Sequence, residues 1–268
     1  MSQERKKMLV AVIIISALVC LTACGYLVFR SIQMHQGAEE YSELQNSYYK
    51  QTESTASTDE TKDAEDEDSS ESELPVDFVA LMDVNPDLYA WITIPETKVN
   101  YPVLQSKEND NFYLDHNVYK NYSFPGAIYS QECNKRDWSD RVTVLYGHNM
   151  LDGTMFATLH KFEDKSFFDE NPYFYIYTAD RKLTYEIVTA FLYDDKHIMN
   201  AYDFTKDNVF QDWLDQAKNP RSLGANVRDS VPLNLNSKLV VLSTCPNYDV
   251  GRYLVQGVQI KDERIKRS

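Results

Sequence analysis

The stretch Lys238-Leu239-Val240-Val241-Leu242-Ser243-Thr244-Cys245-Pro246-Asn247-Tyr248-Asp249-Val250-Gly251-Arg252 sets the frame for the whole chain. A run of aliphatic, largely β-branched residues gives way to two small hydroxyl residues, a cysteine, a proline and a turn-rich loop. That order predicts a strand whose tip presents a thiol to a cleft. Arg252 then opens a second apolar run, Tyr253-Leu254-Val255. If the two runs pair as neighbouring strands, Cys245 and Arg252 stand side by side at one end of a sheet. A thiol beside a permanent cation is a candidate nucleophile, because the positive charge favours the reactive thiolate.

Working outward, the same alternation of short apolar runs and turn residues continues towards the amino terminus. Strands are predicted at Leu88 to Pro95, Val99 to Leu104, Ala127 to Tyr129, Val142 to Tyr146, Tyr173 to Tyr177 and Leu183 to Tyr193. With Leu239 to Thr244 and Arg252 to Lys261 they make about eight, the pattern of a barrel or sandwich. One helix interrupts them. Val209, Phe210, Trp213, Leu214 and Ala217 recur at helical spacing, with Thr205 as cap and Asn219-Pro220 as stop. Phe78, Leu81 and Met82 fall on one face of a shorter helix that Asn85-Pro86 ends. No internal repeat is present.

The first third of the chain is of a different kind. Arg5, Lys6 and Lys7 precede Met8 to Phe29, a stretch without a single charge and long enough to cross a bilayer. Positive charge before the span predicts a cytoplasmic amino terminus and an external remainder. Leu21-Thr22-Ala23-Cys24-Gly25 also fits a lipoprotein cleavage box, which would make Cys24 a lipidated first residue. The apolar run continues through Tyr26-Leu27-Val28-Phe29, however, and this favours an uncleaved anchor. From Gln51 to Glu73 the composition collapses to Ser, Thr, Asp, Glu and small residues, which predicts a solvated stalk. The expected organisation is therefore residues 1–7 inside, 8–29 in the membrane, 30–74 as stalk and 75–268 as the folded domain. Ser31 to Tyr49 could extend the anchor as a helix.

Of 268 residues, 43% are hydrophobic and 13% aromatic, and roughly 190 remain for a single cored domain once the leading segments are set aside. The net charge of -14, much of it concentrated in the acidic linker, argues against nucleic acid as partner, since phosphate binding needs a basic surface. Of four cysteines, Cys20 and Cys24 lie in the apolar segment. Cys133 and Cys245 could form a disulfide, but nothing else suggests a disulfide scaffold. No ligand pair shows metal-type spacing, so neither a metal nor another cofactor is expected.

A cysteine nucleophile needs a proton carrier and a stabiliser for the oxyanion. His148 follows the strand Val142 to Tyr146 through Gly147 and emerges at a strand end as Cys245 does. His116 is its rival; His160 and His197 read as ordinary surface residues, and His35 lies beside the membrane.

Here the residues carry a resemblance. Leu242-Ser243-Thr244-Cys245, Arg252, and Tyr146-Gly147-His148-Asn149-Met150 followed by Asp152-Gly153-Thr154-Met155-Phe156 resemble the sortases of Gram-positive bacteria, class B in particular. So do Asn100 to Gln105, Phe112 to Asn117 and Gly126 to Tyr129, and the helix from Thr205 is similar to an insertion of that class. The resemblance spans Pro75 to Lys261. It implies a mainly β fold, an eight-stranded sortase-type barrel with a few short helices, one of them inserted between late strands, and a Cys-His-Arg set of Cys245, His148 and Arg252. It also implies a cysteine transpeptidase that cleaves a carboxy-terminal sorting signal of secreted proteins, for which class B suggests an Asn-Pro-x-Thr type. The acyl group then passes to an amine of a peptidoglycan precursor or a pilin. Ser243, Thr244, Tyr146 and Leu114 match substrate-flanking positions. One departure stands out: Pro246 has no amide hydrogen, so the residue after the cysteine cannot donate to an oxyanion, and more of that task falls on Arg252. A thiol peptidase that hydrolyses the same intermediate is an alternative, as is a non-catalytic adhesin or receptor domain.

Overall fold

The computed structural model describes residues 3–49, 74–247 and 250–265. Helix α1 (Gln3–Tyr48) contains the apolar stretch and continues beyond it. A short α2 (Phe78–Val84) is capped by the Asp77 carboxylate, which accepts from the Ala80 N–H. Its Phe78 and Leu81 are buried, but Met82 faces solvent, so only two of the three expected residues meet the core.

All eight predicted strands are present: β1 (Leu88–Thr93), β2 (Asn100–Leu104), β3 (Ile128–Tyr129), β4 (Val142–Tyr146), β5 (Tyr173–Tyr177), β6 (Arg181–Tyr193), β8 (Leu239–Thr244) and β9 (Arg252–Arg264). A ninth, β7 (Asn226–Val227), is a two-residue addition to the edge of β6 that carries no alternation long enough to read. The strand order β5-β1-β2-β3-β4-β8-β9-β6 closes through pairing of β5 with β6, giving an eight-stranded barrel. It is mixed: β2–β3 and β4–β8 are parallel and the other pairs antiparallel.

The uninterrupted apolar character of β8 follows from its place in the middle of this sheet, buried on both faces. Val240 and Leu242 point into the barrel core with Trp91, Ile128 and Leu145. Leu239 and Val241 face the other way, into a second cluster built on Phe210, Trp213 and Leu214 of α5 (Asp207–Lys218). The insertion helix is thus present, but Thr205 does not cap it. Its hydroxyl donates instead to Asp203, in a local turn that draws it away from the helix end, and Lys206 occupies the cap position without a side-chain bond.

The carboxy-terminal part of α1 is docked on the barrel. Tyr41 and Leu44 are buried, Tyr41 Oη donates to the Gly126 carbonyl at 2.7 Å, and Gln45 Nε2 donates to the Asn100 carbonyl at 2.6 Å. Tyr49 stacks on Trp91 and forms an antiparallel bridge with Val76, and the Asp77 N–H reaches the Tyr48 carbonyl at 3.0 Å. The acidic stretch predicted as stalk lies outside the described residues, apart from its flanks. Those flanks meet.

Candidate active site

Pairing of β4 with β8 sets Tyr146 opposite Ser243, and the Gly147 N–H extends the ladder to the Ser243 carbonyl at 3.2 Å. His148 and Cys245 each lie two residues beyond that pair, at the same end of adjacent parallel strands. Pairing of β8 with β9 sets Thr244 opposite Tyr253, and the next residues outward are Cys245 and Arg252. Three neighbouring strand ends therefore carry an imidazole, a thiol and a guanidinium in that order. Arg252 Nη1 points at Cys245 Sγ from 3.9 Å and also donates to the Gly251 carbonyl at 3.0 Å. The thiol is exposed, and all four cysteines are free, so Cys133 and Cys245 are not joined. Partial burial pushes the Cys133 thiol up, which disfavours its thiolate.

His148 is held differently. Its Nε2 bonds to the Leu114 carbonyl at 2.7 Å, so that nitrogen carries a proton, and its ring stacks on Phe124 with centroids 5.8 Å apart. Two glycines make the approach feasible. A Cβ on Gly147 would come within 2.5 Å of Ile128 and 2.8 Å of Phe156. Gly126, at φ +59°, passes so close to the Leu114 carbonyl that a Cβ would stand 2.4 Å from its oxygen. The same carbonyl receives His148.

The four residues that match substrate-flanking positions in the sequence separate into two kinds. Ser243 and Thr244 are buried beneath the strand tip, at 3% and 2% exposure, and the Thr244 hydroxyl has no partner among the described residues. Tyr146 is half-buried against Tyr129 and His197, and its hydroxyl too lacks a partner among the described residues. Burial pushes the Tyr129 hydroxyl up to about 12 and Tyr146 higher still, while the charge of Arg252 acts in the opposite direction on both. Leu114 exposes its side chain and offers its carbonyl to His148.

Two residues at the site escaped the sequence reading. The Cys245 carbonyl accepts from Asn149 Nδ2 at 3.1 Å and from His160 Nε2 at 3.0 Å. Asn149 also reaches Asn247 Oδ1 at 2.9 Å, bracing the loop after the thiol. His160 lies in a 3-10 segment (Ala157–Glu163), its Nδ1 paired with Glu163 at 2.6 Å and its ring stacked on Tyr253. With its side chain only 9% exposed, it is not the surface residue that its polar neighbours suggested. Nor is His197, which caps α4 (Ile198–Ala201) and bonds to Gln131 at 2.6 Å. The available signal was the alternation of buried Leu159 and Phe162 around His160, with an acid three residues on. His116, the rival of His148, is stacked on Phe112 and bonded to the Phe112 carbonyl and Asp115. Among the described residues no group of three or more His, Cys, Asp or Glu side chains is arranged to hold a metal ion.

A thiol, an imidazole and a guanidinium at three neighbouring strand ends suit acyl transfer, and comparison with known proteins agrees. Residues 92–260 match the sortase domain family model. The chain is 34% identical to sortase B of Listeria monocytogenes over 186 residues, 66% of this chain and 71% of that protein. The class B sortases are its family. Crystal structures concur: sortase B of Clostridium perfringens superposes with a TM-score of 0.62 at 33% identity, over 68% of this chain and 99% of the other. Sortase B of B. anthracis gives 0.66 at 27% identity, over 86% and 99%. This sortase is accordingly a cysteine transpeptidase on a mixed β-barrel.

Proposed function

We propose that Cys245, His148 and Arg252 form the catalytic set of a membrane-anchored transpeptidase, with Met8 to Phe29 as an uncleaved span and the barrel outside the cell. The observation that carries this reading is Arg252 Nη1 standing 3.9 Å from Cys245 Sγ, with His148 on the next strand end. Cys245 Sγ attacks the backbone carbonyl of a sorting signal on a secreted protein, a signal of Asn-Pro-x-Thr type, and the negative oxygen that develops is met by the Arg252 guanidinium. Pro246 has no N–H to offer at that point. The peptide C–N bond then breaks, the thioacyl bond stays, and His148 gives its proton to the leaving amine. An amine of a cell-wall precursor or a pilin attacks the thioester, loses its proton to His148 and expels Cys245 as the thiolate, which restores the starting thiolate–imidazolium pair. To do this the imidazole swings from the Leu114 carbonyl towards Cys245.

The test is mass spectrometry of products from a library of sorting-signal peptides incubated with the full chain, with and without candidate amines. The expected result is cleavage after a single motif, a thioacyl adduct on Cys245 and faster turnover when an amine is present. Cleavage that persists in Cys245→Ala defeats the assignment, and cleavage indifferent to amines marks a hydrolase instead.

A further inference from the structure

Where the groove sits relative to the membrane follows from how α1 meets the barrel. Arg30 is the first residue beyond the apolar stretch that ends at Phe29. Its guanidinium lies 3.7 Å from the centre of the Phe124 ring, and Phe124 stacks on His148. Gly37 packs on Pro125, and Tyr41 holds the Gly126 carbonyl, so the helix grips the loop that carries Phe124. At a rise of about 1.5 Å per residue, Tyr49 then stands roughly 28 Å farther along the axis. The barrel therefore comes nearest the apolar stretch on the side that carries Phe124 and His148.

The acidic segment cannot supply distance between membrane and barrel. Tyr49 bridges Val76, so the chain leaves the barrel surface and returns to it at one point. The connection from membrane to domain is the continuous helix. Exposed apolar and aromatic side chains, moreover, flank this side in the chain: Leu151, three residues after His148, at 97%, Tyr122, two before Phe124, at 62%, and Leu114, whose carbonyl holds His148. Tyrosines and cationic side chains at the end of a span are the residues that settle at headgroup level.

We propose that the groove of this sortase opens at the level of the lipid headgroups, with Leu114, Tyr122 and Leu151 resting on the phospholipid surface. The inference rests on the anchoring reading above. It means that both acyl donor and amine acceptor are received while still held at the bilayer, and the acidic segment has no part in reaching them.

The three native tryptophans are buried, so one introduced on the surface reports its own surroundings. Full-length Leu151→Trp and Val79→Trp variants are reconstituted into phosphatidylcholine–phosphatidylglycerol vesicles with a nitroxide on the lipid headgroup. Val79 is exposed on α2, beside the Tyr49–Val76 bridge, and serves as the distant control. Leu151→Trp should lose most of its emission to the quencher and Val79→Trp almost none. Deleting 51–72 leaves a four-residue link between Tyr49 and Val76, a length that antiparallel pairing accepts, and should leave the quenching of Leu151→Trp unchanged. Equal brightness of the two variants in vesicles, or quenching lost on deletion while the barrel stays folded by circular dichroism, overturns the proposal. Release of the protein by alkaline carbonate overturns the anchoring reading itself, and is seen before any quenching is measured.

Discussion

The two walls of the groove are built on different principles. The Cys245 wall belongs wholly to the barrel: β8 is buried on both faces, β9 brings Arg252 alongside, and Asn149 with His160 pins the Cys245 carbonyl. The His148 wall is a stack of parts that are far apart in the chain. The imidazole leans on Phe124, Phe124 on Arg30 of α1, and the ring nitrogen on a carbonyl of the loop before β3. One wall sets the thiol directly after a strand that is paired on both sides. The other holds the imidazole through one hydrogen bond and one ring contact, interactions of about 1 kcal/mol each. A thiol set by the strands and a lightly held imidazole suit the roles proposed for them above.

The sharpest attack on this contrast is at the Cys245 wall. Arg252→Lys keeps the charge but loses the planar fork, and kcat/KM should fall about 100-fold or more. Near-normal turnover by that variant would remove Arg252 from the oxyanion role. His160→Ala frees the carbonyl of the nucleophile loop, and a displacement there of even about 1 Å should lower kcat roughly 10- to 100-fold with KM little changed. His160→Gln, which keeps a donor, should restore most of it. If the two variants behave alike, the clamp is irrelevant. On the His148 wall the effect should be smaller. Phe124→Leu removes a ring contact of about 1 kcal/mol, so activity should change by no more than about tenfold, while the rate at which Cys245 reacts with a methanethiosulfonate reagent stays the same. A large change in thiol reactivity would show that the two walls are not independent.

The smallest effect concerns stability near the loop beneath His148. Burial acts to raise the Asp87 carboxyl, but hydrogen bonds from Lys120 and Tyr113 and the nearby charge of Arg136 outweigh it and hold the group below its ordinary range. A carboxyl held low in the folded state adds stability above its ordinary pKa of about 3.9, and that stability is lost as pH falls through the lower folded value. Asp87→Asn should therefore lower unfolding stability at pH 7 by about 1–2 kcal/mol in denaturant titrations. The gap should narrow as the pH drops to 3, and a gap that widens instead would rule out the carboxylate as its source.

Much of this was legible in the chain. Eight strands were readable because each is a short apolar run closed by turn residues, and Cys245 and His148 were readable because each follows such a run directly. Thr205 misled because a hydroxyl before a helix can bond locally as well as cap, and here Asp203 takes it. His160 was missed because it acts on a main-chain carbonyl 85 residues away, and a backbone atom leaves no mark on composition.

By itself the sequence determined the eight barrel strands, the long apolar stretch, the reactive residue types and the absence of an amide hydrogen after Cys245, because these depend on local chemistry and on spacing within one element. Only the tertiary structure decided that β4, β8 and β9 are neighbours, that the Cys245 carbonyl is clamped by Asn149 and His160, and that Tyr49 meets Val76 across the acidic segment. Each of those is a contact between positions far apart in the chain, chosen by closure of one barrel and by which surfaces that closure leaves for α1 to cover.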